Sequence, residues 1–575
     1  MRPGLLLLLA AAALPTAASA QPTAPLQTNP IDRATPQATP RVAPALQPAP
    51  LVPRTGPGAA QVVRLGEVAV SGNRALPASA FAATLDRLRG AEVPLAQLEE
   101  ARIEVLRAYR AADFPFAAVD AGLTPRVGGA ADLVFRVTEG FVAEVRLEGD
   151  IGPAGTQVLR FLNRLLDERP VTGAALERAL LLASDIPGVA VRGVVRPLPS
   201  EPGALQLVAQ VERRAVSGYV TLDNSGSRFA GPWQGLLAIG ANALTEFGER
   251  TELVLFGAEG ATQGFAQLNF ETFIGGSGLR LRGFAGVGQS RPGSTLAAIG
   301  YEGETQVAGI GLSYPLVRRR PFSLFATGQF DLLGSEVRTG TGASSSVASR
   351  DDIRTLRGGF DMQSVDAAIP FLPAAVTAGS LRLHQGLSAL GASANGDPQA
   401  SRAGSRFDFT KATLDIQRTQ PLIELAEGWE LSLQVLAAGQ YSGDILPQSE
   451  KFFLGGNRLT RGYYAGQVTG DSAIALGVEL QLDTAVSLSG EAPWGLGNRL
   501  GAQFYLFHDQ GRTYENGPTD QDRRLVSWGG GARLNLSNSV QLGLELAHRE
   551  TLRPNGAGTD PIASDAVFFR TLIRF

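Results

Sequence analysis

Two short stretches late in the chain carry the residue types that form a strong ion pair. The first, "FFLGGNRLTRGYYAG" at residues 452–466, sets Arg461 among glycines and tyrosines, and the second, "FHDQG" at residues 507–511, contains Asp509. A guanidinium binds a carboxylate through two parallel hydrogen bonds, which makes arginine the best-matched cation for this partner. The glycine after Arg461 permits a sharp turn, and the tyrosine after that offers a ring that can pack against a wall. The alternative is that Arg461 is a solvated loop cation and Asp509 an unrelated charge at a strand end. The predicted positions of the surrounding elements distinguish the two interpretations.

Residues 216–575 alternate between apolar and polar side chains, segment after segment. In "AIALGVELQL" the apolar side chains fall on one face, and Ala475, Gly477, Glu479 and Gln481 fall on the other. The stretches "VQLGLELA" and "WELSLQVLA" repeat this pattern. Strands that are apolar toward lipid and polar toward a lumen are typical of a transmembrane barrel, although a soluble β-sandwich would show similar alternation.

The number of segments and the lengths of their connections separate the two folds. Sixteen segments begin near residues 216, 233, 249, 263, 278, 304, 321, 353, 376, 407, 429, 472, 499, 526, 539 and 566. The even connections, such as "TEFGE", "GGSG" and "SN", are short, whereas the odd ones include "GSEVRTGTGASSSVASRD" and the long stretch that contains Arg461. Short periplasmic turns and long outer loops are the asymmetry of outer-membrane barrels. We therefore predict an all-β, 16-stranded antiparallel transmembrane barrel over residues 215–575.

The alternation also predicts which way Asp509 points. In "LGAQFYLFHDQG" the set expected to face lipid is Leu500, Ala502, Phe504 and Leu506. The set expected to face the lumen is then Gln503, Tyr505, Phe507 and Asp509. By the segment count Asp509 lies on the thirteenth strand, and Arg461 lies in the longest outer loop, between the eleventh and twelfth strands. A carboxylate inside a barrel wall favours a cation as its partner.

The N-terminal residues carry an export signal and a linker. Arg2 precedes the apolar run "LLLLLAAAAL", and the run ends in "ASA" before Gln21, which predicts a secretory signal peptide over residues 1–20. Residues 21–61 have a proline every few positions, and we predict an extended Pro-rich linker there. No later segment supplies about twenty consecutive apolar residues, so we expect any membrane crossing to use strands.

Residues 62–140 and 141–214 share one order of predicted elements: strand, helix, helix, strand, strand. The second helix of the first unit has an apolar stripe that could cover a small sheet, formed by Leu95, Leu98, Val105, Leu106 and Tyr109. We predict two small α+β domains before the barrel. An extended polypeptide could pair with an exposed edge of such a sheet. The candidate edges are "AAVDAGL" and "VAVRGVVRPL", the second with Val189, Val191, Val194 and Val195.

The two units resemble the POTRA domains of outer-membrane assembly and secretion proteins. In the first unit, "AYRAADFPFA" and "VTEG" are similar to the POTRA domain of two-partner secretion transporters, a family that usually carries glycine where Asp113 stands. The "LTRGY" of the long loop resembles the V-R-G-F/Y motif of this superfamily, and "FHDQG" resembles its F-x-D-x-G motif. Two POTRA domains, a sixteen-stranded barrel and this length of chain together resemble the hemolysin and hemagglutinin secretion/activation family.

This resemblance implies a translocator in the outer membrane of a Gram-negative bacterium, with its POTRA domains in the periplasm. The POTRA domains would capture an unfolded exoprotein, and the barrel would export it. The long loop would fold into the lumen as a latch whose residues are Arg461, Gly462, Tyr463, Phe507, Asp509 and Gly511. The terminal Phe575 resembles the signal that the barrel-assembly machinery recognises. Some family members place an N-terminal helix in the barrel as a plug, but the prolines from Pro22 to Pro57 predict that a long plug helix is missing here.

Composition argues against several other classes. The chain has 575 residues and no cysteine, and His384, His508 and His548 lie far apart, so we expect no disulfide framework, metal site or cofactor. A net charge of -3 offers no general attraction to nucleic acid. We find no G-x-S-x-G elbow and expect no enzyme activity, and a passive porin would have no evident use for two POTRA domains. The alternative to a secretion transporter is an assembly or insertion factor of the same superfamily.

Overall fold

A computed structural model describes residues 58–226, 229–487, 499–518, 520–537, 539–550 and 562–575, together with three isolated positions before residue 58. The predicted signal peptide and most of the predicted linker lie outside the described residues, and so does the segment in which a plug helix is expected to be missing. None of the described helices is long and apolar enough to cross a membrane.

The first α+β unit is a four-stranded sheet covered by helices. Its elements are β1 (Val62–Ser71), a 3-10 turn (Ala78–Phe81), α1 (Ala82–Leu88), β2 (Glu92–Pro94), α2 (Leu95–Ala111), β3 (Ala118–Pro125) and β4 (Ala131–Thr138). The strand order is β2-β1-β4-β3, with β1 and β4 parallel. The apolar stripe of α2 packs against this sheet, with Leu95 partly buried and the other four residues buried. Its Tyr109 donates a 2.8 Å hydrogen bond to Glu139. Burial, reinforced by the Glu139 carboxylate, raises the pKa of Tyr109, so the phenol keeps the proton that it donates.

The second unit repeats the arrangement with three strands. Its elements are β5 (Phe141–Gly149), α3 (Gly155–Leu162), a 3-10 turn (Asn163–Asp167), α4 (Gly173–Ser184), β6 (Val189–Pro197) and β7 (Ala204–Arg213). The strand order is β5-β7-β6, with β5 parallel to β7. Thr172 caps helix α4, since its hydroxyl accepts a 3.1 Å hydrogen bond from the Ala175 amide. Strands β3 and β6, which contain the two candidate binding edges, both lie at a sheet edge.

Asp113 joins the two units. Its backbone is left-handed, with φ of 68°, a conformation that suits glycine better than most residues. Its side chain, however, accepts a 2.9 Å hydrogen bond from the Ala174 amide, and its carbonyl accepts a 3.0 Å bond from the Gly173 amide. An aspartate at this position therefore gives helix α4 of the second unit a cap that comes from the first unit, which glycine could not supply.

Sixteen strands close into an antiparallel barrel, which confirms the predicted number and fold. They are β8 (Val216–Asp223), β9 (Gln234–Asn242), β10 (Arg250–Ala258), β11 (Gln263–Ile274), β12 (Leu279–Ser290), β13 (Glu302–Arg318), β14 (Phe322–Thr339), β15 (Ser346–Asp366), β16 (Ala375–Gly386), β17 (Thr410–Ala426), β18 (Trp429–Ser442), β21 (Ser472–Ser487), β22 (Arg499–Tyr514), β23 (Arg523–Asn535), β24 (Val540–Arg549) and β25 (Asp565–Arg574). Two short strands, β19 (Phe452–Leu454) and β20 (Val468–Gly470), lie between β18 and β21, and a one-turn helix α5 (Ser294–Ala297) lies between β12 and β13. Strand β25 pairs with β8, and Phe575 and Gly218 exchange two 3.0 Å backbone hydrogen bonds at this closure.

One predicted outer loop is wrong. The stretch "GSEVRTGTGASSSVASRD" belongs mostly to strands β14 and β15, which leave only residues 340–345 as their connection. The two strands stay paired from Gly334 and Asp352 to Thr339 and Ser346. A membrane-spanning strand needs only about ten residues, so this hairpin extends well beyond that length. The glycines and serines of this stretch predict a loop. The antiparallel pairing continues nevertheless, because the backbone N–H and C=O groups of each strand bond to those of the other.

The second unit is docked on the short turns at one end of strands β9 to β14. Asp185 receives two hydrogen bonds from Arg318, of 2.6 and 2.8 Å, and Arg178 donates a 2.9 Å bond to the carbonyl of Pro315. Phe161 meets the ring of Phe273 edge-on, with 5.2 Å between ring centroids. These contacts combine a charged pair with apolar packing, so they fix the unit beneath one side of the barrel.

We expect Arg318→Ala to loosen this docking. The substitution leaves Asp185 half-buried without its bidentate partner, a loss of roughly 1.5–3 kcal/mol for hydrogen bonds to a charged group. Hydrogen exchange followed by mass spectrometry on the full chain should show faster exchange in helix α4 and in residues 275–278. Arg146→Ala is the control, because Arg146 forms only an exposed 3.6 Å pair with Glu148 in the same unit. Unchanged exchange in the Arg318 variant would contradict this role.

Candidate functional site: a loop anchored inside the barrel

The longest connection between barrel strands, residues 443–471, enters the lumen. Strands β19 and β20 pair as an antiparallel hairpin from Phe452↔Gly470 to Leu454↔Val468, and residues 455–467 form its tip. The tip is closed by a 2.9 Å hydrogen bond from the Gly456 amide to the Tyr463 carbonyl. The hairpin therefore delivers a compact tip, and not a flexible coil, to the barrel wall.

At this tip Arg461 binds Asp509 of strand β22. Its Nη2 and Nε donate to the two carboxylate oxygens, each at 2.9 Å, and its backbone amide donates a third bond of 3.0 Å. Asp509 is 0% exposed and Arg461 is 8% exposed. Lumen-facing Asp509 agrees with the alternation of its strand, in which Leu506 is 66% exposed on the outer surface. This bidentate geometry fixes both the position and the orientation of the tip.

A second carboxylate, Glu479 of strand β21, completes the binding of the guanidinium. Arg461 donates its Nη1 to Glu479, and Glu545 of strand β24 lies 3.9 Å from the same nitrogen. Glu479 also accepts from Arg533 and from Gln481, at 2.6 and 2.7 Å. The alternation of the sequence places Glu479 and Glu545 on the polar faces of their strands but does not pair them with Arg461. Glu479, Asp509 and Glu545 all lie at polar positions in the alternating pattern of their strands, and this common feature could have identified the two glutamates.

Phe507 supplies the floor of the guanidinium site. The Cζ atom of Arg461 lies 4.1 Å from the centre of the Phe507 ring, within the range of a cation–π contact. Phe507 and Asp509 are two residues apart on strand β22 and therefore point to the same side. The arginine thus has an aromatic face and carboxylates around it where water would otherwise be its partner.

The two residues after Arg461 pack against strands β23 and β24, which follow the strand of Asp509 in the barrel wall. Gly462 has φ of 92°, and a Cβ atom there would lie 3.0 Å from the Cβ of Ala547. The hydroxyl of Tyr463 lies 2.8 Å from the carbonyl of Val526 and 2.6 Å from that of Glu550, within hydrogen-bonding distance of both. A larger residue at 462 would clash and adopt a strained backbone, so glycine is required for the close approach.

Gly511 in the wall makes room for the loop. A Cβ atom on Gly511 would lie 2.7 Å from Leu454 and 3.1 Å from Thr460, both in the loop. The structure therefore brings all six predicted latch residues into one cluster, while their role as a latch stays a prediction. A cavity of about 1280 Å³ remains beside the loop, lined by loop residues and by lumen-facing glutamines such as Gln267 and Gln434.

The four predicted edge valines lie elsewhere, on strand β6 of the second unit. Val189 is buried, and Val191, Val194 and Val195 are partly buried. Val191 and Val195 pack against the core of that unit, so their side chains are committed to its stability. What β6 offers a partner is its edge backbone, and substrate binding there stays a prediction. Among the described residues, no group of three or more His, Cys, Asp or Glu side chains could hold a metal ion.

Two POTRA domains, a closed sixteen-stranded barrel and a loop held in its lumen define an outer-membrane protein whose POTRA domains lie in the periplasm. A model of the haemolysin secretion/activation protein family ShlB/FhaC/HecB matches residues 362–534, a span that contains both Arg461 and Asp509. This match confirms the resemblance predicted from the sequence.

Individual relatives agree with this class. The chain is 22% identical over 396 residues to the heme/hemopexin transporter protein HuxB of Haemophilus influenzae (strain 86-028NP), covering 68% of this chain and 67% of that protein. CdiB from Escherichia coli matches with a TM-score of 0.69 and 16% identity over 93% of this chain and 94% of that chain. CdiB from Acinetobacter baumannii matches with a TM-score of 0.61 and 17% identity over 95% of each chain. At these identities the two structures show a shared fold.

We expect Arg461→Lys to free the loop tip. An ammonium is a point charge that cannot reproduce the fork of hydrogen bonds to Asp509 while also binding Glu479. Hydrogen exchange at residues 455–467 should rise at least about tenfold, since weakening a buried pair costs more than about 1.4 kcal/mol. The control is Arg458→Lys in the same loop, because Arg458 pairs with Asp415 at a site where both side chains are about one-third exposed. Equal protection in the two variants would contradict the anchoring role of Arg461.

Proposed function

We propose that this protein exports an unfolded exoprotein across the outer membrane, by the route of two-partner secretion. The observation that carries the proposal is the Arg461–Asp509 pair, buried inside the lumen of a POTRA-bearing barrel. A loop held there by directed hydrogen bonds obstructs the path that a polypeptide would take, and it can act as a latch only if it moves. The matched family and the transporters among the relatives support this function over catalysis.

Capture would take place in the periplasm, at the POTRA sheet edges. The backbone groups of β6 and β3 can pair with an extended segment of the exoprotein. Such pairing depends on the extended conformation of the segment more than on its side chains. The docking of the second POTRA domain through Asp185 and Arg318 holds β6 close to the barrel. A chain captured on that edge would therefore start its passage next to the lumen.

An ionic latch suits a loop that must open repeatedly. Arg461, Asp509 and Glu479 lose their hydration when the loop docks, so much of their mutual attraction is offset by desolvation. When the loop leaves, the charged groups regain water, which lowers the free energy of the open state. A purely apolar tip would have no such compensation. The bidentate geometry still specifies one docked position.

We expect Arg461→Ala to abolish export while the barrel stays folded in the outer membrane. The proposed export cycle requires the tip to return to its docked position as well as to leave it. Without its cation the tip cannot redock, because Asp509 and Glu479 lose the partner that directs it to the wall. The measurement is co-expression with a candidate exoprotein, chosen from neighbouring genes by its signal peptide and repeats, followed by assay of that exoprotein in the culture medium.

Two controls accompany this experiment. Heat-dependent migration of the outer-membrane fraction on gels reports whether the barrel is folded, and Arg458→Ala tests an arginine of the same loop outside the Asp509 cluster. Export at the wild-type level by the Arg461 variant would count against the latch. Absence of any export by the wild-type protein, together with defects in other outer-membrane proteins on its deletion, would favour the assembly factor.

A further inference from the structure

The outer end of the loop is held by a second buried cluster, centred on Arg402. This residue lies on residues 387–409, the connection between strands β16 and β17. Its side chain is only 10% exposed, although it belongs to an outer connection. It pairs with three acidic residues, Asp471 at 2.7 Å, Asp520 at 2.6 Å and Glu515 at 3.1 Å. An exposed rim arginine would show none of this convergence.

Asp471 ties together the two ends of the lumen loop. It is the last residue before strand β21 and is fully buried. Besides both terminal nitrogens of Arg402, it accepts 2.8 Å hydrogen bonds from the amides of Leu446, near the start of the loop, and Asn516, on the next outer connection. Arg402 also donates a 2.7 Å bond to the Leu446 carbonyl. One arginine therefore closes the root of the loop.

The same cluster reaches the hairpin that carries the latch. Lys451, the residue directly before β19, donates a 2.7 Å hydrogen bond to Glu515, which is itself bound by Arg402. Both Lys451 and Glu515 are nearly fully buried. The position of the hairpin root is thus coupled to Arg402 through one shared carboxylate.

We propose that Arg402 is a positioning residue for the lumen loop: by clasping Asp471, Glu515 and Asp520, it fixes the loop root so that the hairpin aims Arg461 at Asp509. This inference rests on the proposed function, because it assigns a second control point to the same latch. The charge balance gives the direction of the effect. With Arg402 present, two cations including Lys451 face three carboxylates, and without it a single cation faces all three.

The loss of Arg402 should therefore push the outer connections apart and raise the frequency at which the latch opens. Single-channel recording of the purified full chain in planar bilayers measures this without an exoprotein. We expect Arg402→Ala to increase the frequency of high-conductance events about tenfold or more, the scale set by leaving buried charge uncompensated. Arg406→Ala on the same connection is the matched control, because Arg406 is half-exposed and pairs with Asp408 and Asp444 at the surface. It should behave as wild type.

A double-variant cycle separates positioning from a merely structural role. If Arg402 acts through the tip, its substitution should add little to an Arg461→Ala background. An equal increase in both backgrounds would overturn the proposal, as would wild-type event frequency in Arg402→Ala. Asp471→Asn, which keeps the side-chain shape, replaces Arg402→Ala if that variant does not give a heat-modifiable barrel. The proposed export function fails separately, through the secretion assay, because these recordings contain no exoprotein.

Discussion

The arrangement of the barrel interior depends on the guanidinium of Arg461, which is bound by protein side chains and not by water. Arg461 is held by Asp509 and Glu479 and lies against the ring of Phe507, and these three side chains come from two neighbouring strands. Such a site exists only if both strands turn their polar faces inward in the correct register. The closed antiparallel ladder supplies that register, because Glu479 stands directly opposite Phe507. The register of the barrel strands therefore determines whether the wall can bind the loop tip.

The two ends of the molecule are fixed in different ways. At the periplasmic end, a bidentate Arg318–Asp185 pair and aromatic packing dock the second POTRA domain on the barrel, and Asp113 links that domain to the first. At the outer end, Arg402 joins three connections through its pairs with Asp471, Glu515 and Asp520. Between them the loop is held mainly by charges that water can stabilise once they separate. Motion is therefore expected at the loop and not at its supports.

Much of this arrangement could be predicted from the sequence, and the failures have physical reasons. A period of two residues predicted the number of strands and the inward direction of Asp509, since alternation is a local property. The same period could not pair Glu479 or Glu545 with Arg461. Alternation shows which face of a strand a residue occupies, but not which loop residue lies beside it. The hairpin around residues 340–345 is rich in glycine and serine, which predicts a loop, but its two strands form backbone hydrogen bonds with each other. Arg402 and its partners lie in connections that have no period, so nothing local indicated their contacts.

The central claim is that the tip of the loop must leave the wall for export to occur, and a reversible tether tests it most directly. The chain has no cysteine, so an introduced pair has no competing native thiol. A Cβ atom on Gly511 would lie 3.1 Å from Cγ2 of Thr460, the position that Sγ of a cysteine can occupy, which suits a disulfide between Thr460→Cys and Gly511→Cys. The same Cβ would lie 2.7 Å from the end of the Leu454 side chain, which must shift to admit it, and export after reduction controls for that change. The measurement is the amount of exoprotein in the medium before and after addition of a reductant. We expect no export while the disulfide is closed and recovery of export after reduction. Undiminished export with the disulfide closed would contradict it.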